Sequence, residues 1–173
     1  PRENTVLMTV EPVSIKHYNS RYTGQFGHVL TNRPYATIPH PGYHFGRGYF
    51  KWMNNRSFGE NLAFVPPKEK TAKISAVCSS KQMRFTKHYA RYRLISSLAR
   101  EIDGFDWYGW GVKRLDFKYN ALDRYRYHVA VENHVAPGHW SEKIADALLS
   151  ETLPFYAGDP ALGEVLPPES FIP

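Results

Sequence analysis

Beyond residue 72 the apolar positions fall into two rhythms. Lys73–Cys78 is a short apolar, β-branched run and reads as a buried strand. From Phe85 to Ile102 the spacing changes. Tyr89, Tyr92, Leu94, Ile95, Leu98 and Ile102 recur at helical intervals, and Asp103-Gly104 supplies a stop. Phe105–Tyr108 reads as the next strand, and Tyr127–Val131, alternating and β-branched, as another. Ser141–Ser150 sets Ile144, Ala147 and Leu148 on one face, with Ser141 as a good N-cap. Leu153–Ala157 reads as a last strand, stopped by Gly158-Asp159-Pro160. Strand, helix, strand, strand, helix, strand predicts an α/β domain around a largely parallel sheet.

The earlier stretch is less regular. Thr5–Val10 reads as a buried strand ending at Glu11-Pro12. Residues 14–62 are rich in turn signals, with short strands predicted at His28–Leu30 and Tyr35–Ile38. Pro66-Pro67 followed by alternating charges predicts a linker over 66–72.

Composition narrows the classes. The 173-residue chain carries 22 Lys plus Arg against 16 Asp plus Glu, a net charge of +6 that favours an anionic partner without choosing one. A single cysteine, Cys78, excludes an internal disulfide framework and a cysteine-rich zinc site, and it favours a reducing compartment. The apolar runs fall far short of the roughly 20 residues that a spanning helix needs.

Candidate chemistry concentrates between Tyr125 and Ile172. A strand ends at Glu132-Asn133, a loop with Pro137-Gly138 follows, and a helix begins at Ser141-Glu142-Lys143. In open parallel sheets, ligands bind where loops leave the carboxyl ends of the strands. A helix N-terminus offers free N–H groups to an anion, so a lysine in its first turn is disfavoured unless an anion sits beside it. Glu142 has the chemistry to accept from two ribose hydroxyls. Together these features suit a nucleoside diphosphate. A solvated Glu-Lys pair on a surface helix is the other reading of the same residues.

The segment resembles the fucosyltransferase motif of glycosyltransferase family 10. The matching pieces are the strand Tyr127–Val131, then Glu132-Asn133-His134, His139-Trp140-Ser141-Glu142-Lys143, Asp146-Ala147, Leu153–Gly158 and Leu166–Ile172. Upstream, Ser75–Ser80 followed by Lys87–Arg91, Leu94 and Leu98 resembles the family's strand and arginine-bearing helix. Thr5–Glu11 resembles the strand that carries its proposed base. Four features depart from the pattern: Val10 before the base, the loop Ser79-Ser80, His134 and His139. They imply a divergent member and leave base stacking and sugar recognition open.

The resemblance implies a GT-B-type fold, with a Rossmann-like donor-binding domain over 73–173 and part of an acceptor-side domain over 1–65. It implies transfer of fucose from GDP-fucose to a hydroxyl of an oligosaccharide acceptor, with inversion and without a metal or other cofactor. Glu11 would act as base, with Arg91, Asn133, His139, Glu142 and Lys143 binding the donor nucleotide. Because family members are longer, it also implies a piece cut at both ends. The expected compartment is the bacterial cytoplasm, free or peripheral to the membrane, or the Golgi lumen if the source is eukaryotic. On this reading, Lys143→Ala removes most GDP binding and leaves the fold intact.

Three other readings follow from the residues. His40 and His44 stand four apart, but Pro41-Gly42 break the helix that a metal pair at that spacing needs. Phe45–Trp52 is basic, glycine-containing and aromatic, as single-stranded RNA surfaces are. Trp52, Trp107, Trp110 and Trp140 would be stacking platforms in a non-catalytic carbohydrate-binding protein.

Overall fold

A computed structural model describes residues 2–46, 52–82 and 87–173. The first sheet is built from β1 (Val6–Met8), β2 (His28–Thr31) and β3 (Tyr43–Phe45), all parallel, with β2 in the centre. Between β1 and β2 lies α1 (Ser20–Thr23), whose N-cap Asn19 accepts from the Tyr22 N–H. The predicted strand Thr5–Val10 is shorter than its apolar run and buried on one face only. Leu7 and Thr9 turn inward, with Leu7 on Val29 and Ile38, while Val6, Met8 and Val10 are exposed.

Tyr35–Thr37 is a 3-10 turn and not the expected strand. Pro34 opens it, and the Thr37 hydroxyl donates back to the Pro34 carbonyl at 2.8 Å. β3 was hidden in the sequence because it spans three residues between Gly42 and Gly46. Most of the Phe45–Trp52 segment lies outside the described residues.

After α2 (Phe58–Ala63), which starts on a Ser57–Glu60 capping box, the regular part of the chain follows the predicted order. It runs β4 (Ala72–Val77), α3 (His88–Glu101), β5 (Phe105–Tyr108), β6 (Tyr125–Val131), α4 (Glu142–Leu149) and β7 (Leu153–Ala157). The strands form one parallel sheet in the order β5-β4-β6-β7. Ala72, inside the expected linker, is the first residue of β4. Among the described residues no helix is long and apolar enough to cross a membrane.

The strand alternation decides which helix covers which face. Ile74, Ala76, Cys78 and Val129 point to one side and pack under Ile95, Leu98 and Ile102 of α3. Ala130 and Tyr156 point to the other and pack with Ile144 and Leu148 of α4 and with Leu162. Each such side chain contributes about 1.5–3 kcal/mol on full burial. Arg91 lies one turn ahead of Ile95 on the same stripe of α3, so the helix buries it too.

Residues 52–56 are fastened to this second sheet. The Met53 N–H donates to Asp146 Oδ1 at 2.7 Å, the Tyr119 N–H donates to the Asn54 carbonyl at 3.2 Å, and Arg56 pairs with Asp123.

His128 is fully enclosed beside its register partner Ser75. The Ser75 hydroxyl donates to the Ala121 carbonyl, so its oxygen accepts from His128 Nδ1–H at 2.8 Å. Burial, with a smaller push from Lys118, lowers the imidazole pKa to about 3. An unfolded histidine takes its proton near pH 6.5, so between there and about pH 3 the unfolded chain holds the extra proton. This group's stabilisation is therefore lost as pH falls. Urea unfolding should show His128→Gln losing about 2 kcal/mol less than the unsubstituted protein between pH 6.5 and 5. Parallel curves would mean that His128 is protonated in place.

Candidate functional site

The start of α4 is organised by a carboxylate from the neighbouring strand end. Glu132 follows β6 directly, and its N–H donates to the Ala157 carbonyl of β7 at 2.8 Å, so the ladder aims its side chain inward. The carboxylate is almost wholly enclosed, its side chain 1% exposed. One oxygen accepts from the Ser141 N–H at 2.9 Å. Both accept from the Ser141 hydroxyl at 2.8 Å, and the second also takes Lys143 Nζ at 3.0 Å. A Cβ on Gly158 would collide with Glu132 Cγ and the Tyr156 hydroxyl, which is why the chain must be glycine there.

Glu132 is thus the anion that a lysine at a helix N-terminus requires. Lys143 Nζ also donates to Ser141 Oγ at 2.8 Å and Glu142 Oε1 at 3.2 Å. The Glu142–Lys143 pair does form, though both members are mostly enclosed and neither is a solvated surface charge. Burial pushes the Glu142 carboxyl up. Lys143 and Lys118 outweigh it, helped by hydrogen bonds from Lys143 and Ser141, and hold it below the usual range. Lys118 itself is clamped on the buried Asp146 at 2.6 Å. Burial keeps the Asp146 carboxyl above the usual range despite that lysine.

These groups form one wall of a cleft of about 600 Å³. Asn133, His139, Glu142 and Lys143 line it from the second sheet, and Thr9, Glu11 and Asn32 line it from the first. All come from loops or helix starts at the carboxyl ends of β1, β2 and β6. The loop bearing Glu11 is held by Arg33, whose Nε donates to the Glu11 carbonyl at 3.0 Å and whose Nη2 donates to the Lys16 carbonyl at 2.7 Å. Arg33 also lies over the Tyr18 ring.

Of the six residues singled out in the sequence, Glu11, Asn133, His139, Glu142 and Lys143 meet on this cleft. Arg91 stands behind the wall. It is buried, and its Nη1 donates to Asn133 Oδ1. Its neighbourhood is cationic, since Arg91 and Lys143 both act on the Cys78 thiol, and Arg91, Lys81 and Lys143 act on His88. Burial is the largest cause in each case, raising the thiol and lowering the imidazole.

Sequence reasoning missed Glu132, Asn32, Lys118 and Arg33 as parts of the site. Glu132 had a signal, an acid immediately after a buried strand. Asn32 and Arg33 sit in what reads as an ordinary Asn-Arg-Pro turn. The tryptophans do not form a row of platforms. Trp110 is exposed, but Trp107 packs on Tyr92 and donates to the Cys78 carbonyl, Trp52 donates to the Arg56 carbonyl, and Trp140 lines the cleft. His44 pairs with His28 across the strands and not with His40. Among the described residues no three His, Cys, Asp or Glu side chains group as metal ligands would.

No family model matches the chain. The family resemblance is borne out over part of it by the α-(1,3)-fucosyltransferase FucT of Helicobacter pylori, 36% identical over 64 residues, which are 37% of this chain and 13% of that protein. The fold is that of a crystal structure of α1,3-fucosyltransferase, with a TM-score of 0.63 at 20% identity over 96% of this chain and 55% of that one. The crystal structure of the enzyme with GDP-fucose gives 0.59, and the one with GDP gives 0.54. The chain spans about half the length of those solved structures and a smaller share of the curated relative.

The geometry changes what removing Lys143 does. Lys143→Ala strands a buried carboxylate, so a stability cost is expected beside any loss of nucleotide binding. It should cost about 3 kcal/mol in urea unfolding. In a Glu132→Gln background the same substitution should cost much less, because no buried charge is left unpaired. Equal costs in both backgrounds would show that the pair is not coupled.

Proposed function

We propose that the chain is the donor-binding part of a family 10 fucosyltransferase, together with part of its acceptor side. It takes fucose from GDP-fucose to a hydroxyl of an oligosaccharide, with inversion. The observation that carries this reading is the cleft. Five residues chosen by resemblance, scattered from position 11 to position 143, line one cavity between two parallel sheets. The fold of fucosyltransferases and the partial sequence match support it. The sheet of β1–β3 belongs on this reading to the acceptor side (1–65) and the sheet of β4–β7 to the donor domain (73–173), joined by 66–72.

The roles follow from the chemistry of each group. Glu11, carried on the loop that Arg33 anchors, removes the proton from the acceptor hydroxyl. That oxygen attacks the anomeric carbon from the face opposite the departing GDP, and the C–O bond to the β-phosphate breaks through an oxocarbenium-like state. Negative charge grows on the leaving diphosphate. Lys143 and the cationic region around Arg91 stabilise it, Lys143 by exchanging its longest contact, to Glu142, for a phosphate oxygen. Glu142, held ionised, accepts from the ribose hydroxyls. Arg91 acts through Asn133, setting that amide against the donor. The reading calls on no metal or other cofactor. With a single cysteine and a net charge of +6, the compartment we propose is the cytoplasm, at or near a membrane surface.

Nucleotide binding tests the reading without requiring turnover. GDP at 100 times its Kd should raise stability by about 2.7 kcal/mol, with UDP and CDP weaker. Glu11→Gln should leave that shift unchanged while lowering transfer by about 10²–10⁴-fold wherever transfer is measurable. Binding of single-stranded RNA with a steep salt slope, and no response to GDP, would favour a nucleic-acid function.

A further inference from the structure

The cleft wall contains a histidine whose proton is assigned by a residue from the opposite sheet. His139 is buried in the loop between β6 and α4, in a turn closed by its own N–H donating to the Ala136 carbonyl at 3.0 Å. Gly138 before it has φ +77°, a conformation that glycine adopts freely. From the first sheet, the buried Asn32 at the end of β2 reaches across. Its Nδ2 lies 3.2 Å from the Gly138 carbonyl and 3.2 Å from His139 Nδ1.

The carbonyl removes the usual ambiguity of an amide. A carbonyl oxygen only accepts, so the NH₂ of Asn32 faces this pair and Oδ1 faces away. One of its hydrogens serves Gly138. The other points at His139 Nδ1, which must then be the bare nitrogen. A neutral imidazole has one N–H, and here it is Nε2–H.

The surroundings oppose a second proton. Burial lowers the His139 pKa first, and His134 and Lys143 lower it further against the pull of Glu132 and Asp159. His134 stands edge-to-face with His139 at 5.1 Å and is itself tied to Ser14 of the first sheet through Nδ1 at 3.2 Å.

We infer that Asn32 is a positioning residue that fixes His139 as the Nε2–H tautomer, so that His139 offers the cleft a neutral hydrogen-bond donor for an acceptor oxygen of the bound nucleotide. The ligand half of this inference rests on the function proposed above. The tautomer half rests on Asn32, Gly138 and His139 alone. Because the donor is on the second sheet and the group that assigns its proton is on the first, the site needs both sheets to read its ligand.

The test is long-range ¹H–¹⁵N correlation of the imidazoles in histidine-labelled protein at pH 7.5. His139 is assigned by the signal that His139→Asn removes. We expect the Nε2–H pattern for His139. In Asn32→Asp the carboxylate accepts instead of donating, so the ring should move its proton to Nδ1 or take a second one. The other histidine signals away from the cleft should stay in place and report that the fold is kept. Asn32→Gln, which keeps an amide donor, should retain part of the original pattern. An Nδ1–H or doubly protonated His139 in the unsubstituted protein, or an unchanged His139 in Asn32→Asp, overturns the inference.

GDP separates the two halves. It should shift His139 Nε2–H, and Asn32→Asp should weaken GDP binding about five- to tenfold. A shift of the Ser141 and Lys143 amides that leaves Nε2 unmoved overturns His139 as a nucleotide donor while sustaining nucleotide binding. No shift anywhere in the cleft overturns the nucleotide reading, and the ligand half falls with it.

Discussion

The site depends on a carboxylate placed where solvent cannot reach it. Glu132 enters the interior because the β6 ladder continues through its N–H to Ala157, and an enclosed charge is tolerated only when it is paired and hydrogen-bonded. Ser141 and Lys143 meet that demand, and in doing so they fix the first turn of α4 against the strand end. The orientation of Glu142, the position of the lysine and the width of the cleft all follow from this contact. An apolar pair of the same volume would stabilise the fold as well or better. What the charged pair adds is a lysine held at the mouth of a cleft, with its side chain only 16% exposed.

The second constraint is the meeting of two parallel sheets at their carboxyl ends. Loops after β1 and β2 face loops after β6, so a small set of polar contacts across the gap decides how the walls stand. Asn32 reaches Gly138 and His139, and Ser14 reaches His134. Arg33 works within the first sheet, threading its guanidinium among carbonyls of the loop that carries Glu11. Glu11 and His139, drawn from different sheets, are therefore positioned by Arg33 and Asn32, neither of which needs to take part in chemistry itself.

The legibility of these features followed the periodicity behind them. The β4–β7 sheet and its two helices were readable because longer strands and an apolar stripe running from Arg91 to Ile102 leave a strong pattern. The same stripe singled out Arg91, since Arg93 is off it and exposed above Tyr89. The first sheet was barely readable, because its strands are three or four residues long and bury at most two side chains each. Tyr35–Ile38 has strand-like residues, but Pro34 and the Thr37 hydroxyl bend it into a turn. Contacts such as Asn32 to Gly138 span more than 100 residues and have no local signature. The candidate residues were legible through resemblance, whereas the groups that hold them, Glu132, Asn32 and Arg33, become visible only in three dimensions.

The basic excess also takes on a different meaning. A lysine in the first turn of a helix calls for an anion beside it, and the Lys143 ammonium is already balanced by Glu132 and Glu142. Among the described residues the cleft wall carries Glu11, Glu132 and Glu142 beside Lys143. The cations just behind it are Arg91 and Lys81, which with Lys143 surround His88 near the start of α3 and lower its pKa together with burial. The first turn of α3 holds no acid, and its N–H groups add to their field. A diphosphate bridging the two helix starts would gain from both without displacing the Glu132 contact that builds the site. Net charge alone pointed only to an anionic partner. The distribution of that charge is uneven: carboxylates line the cleft, and the cations Arg91 and Lys81 stand behind it.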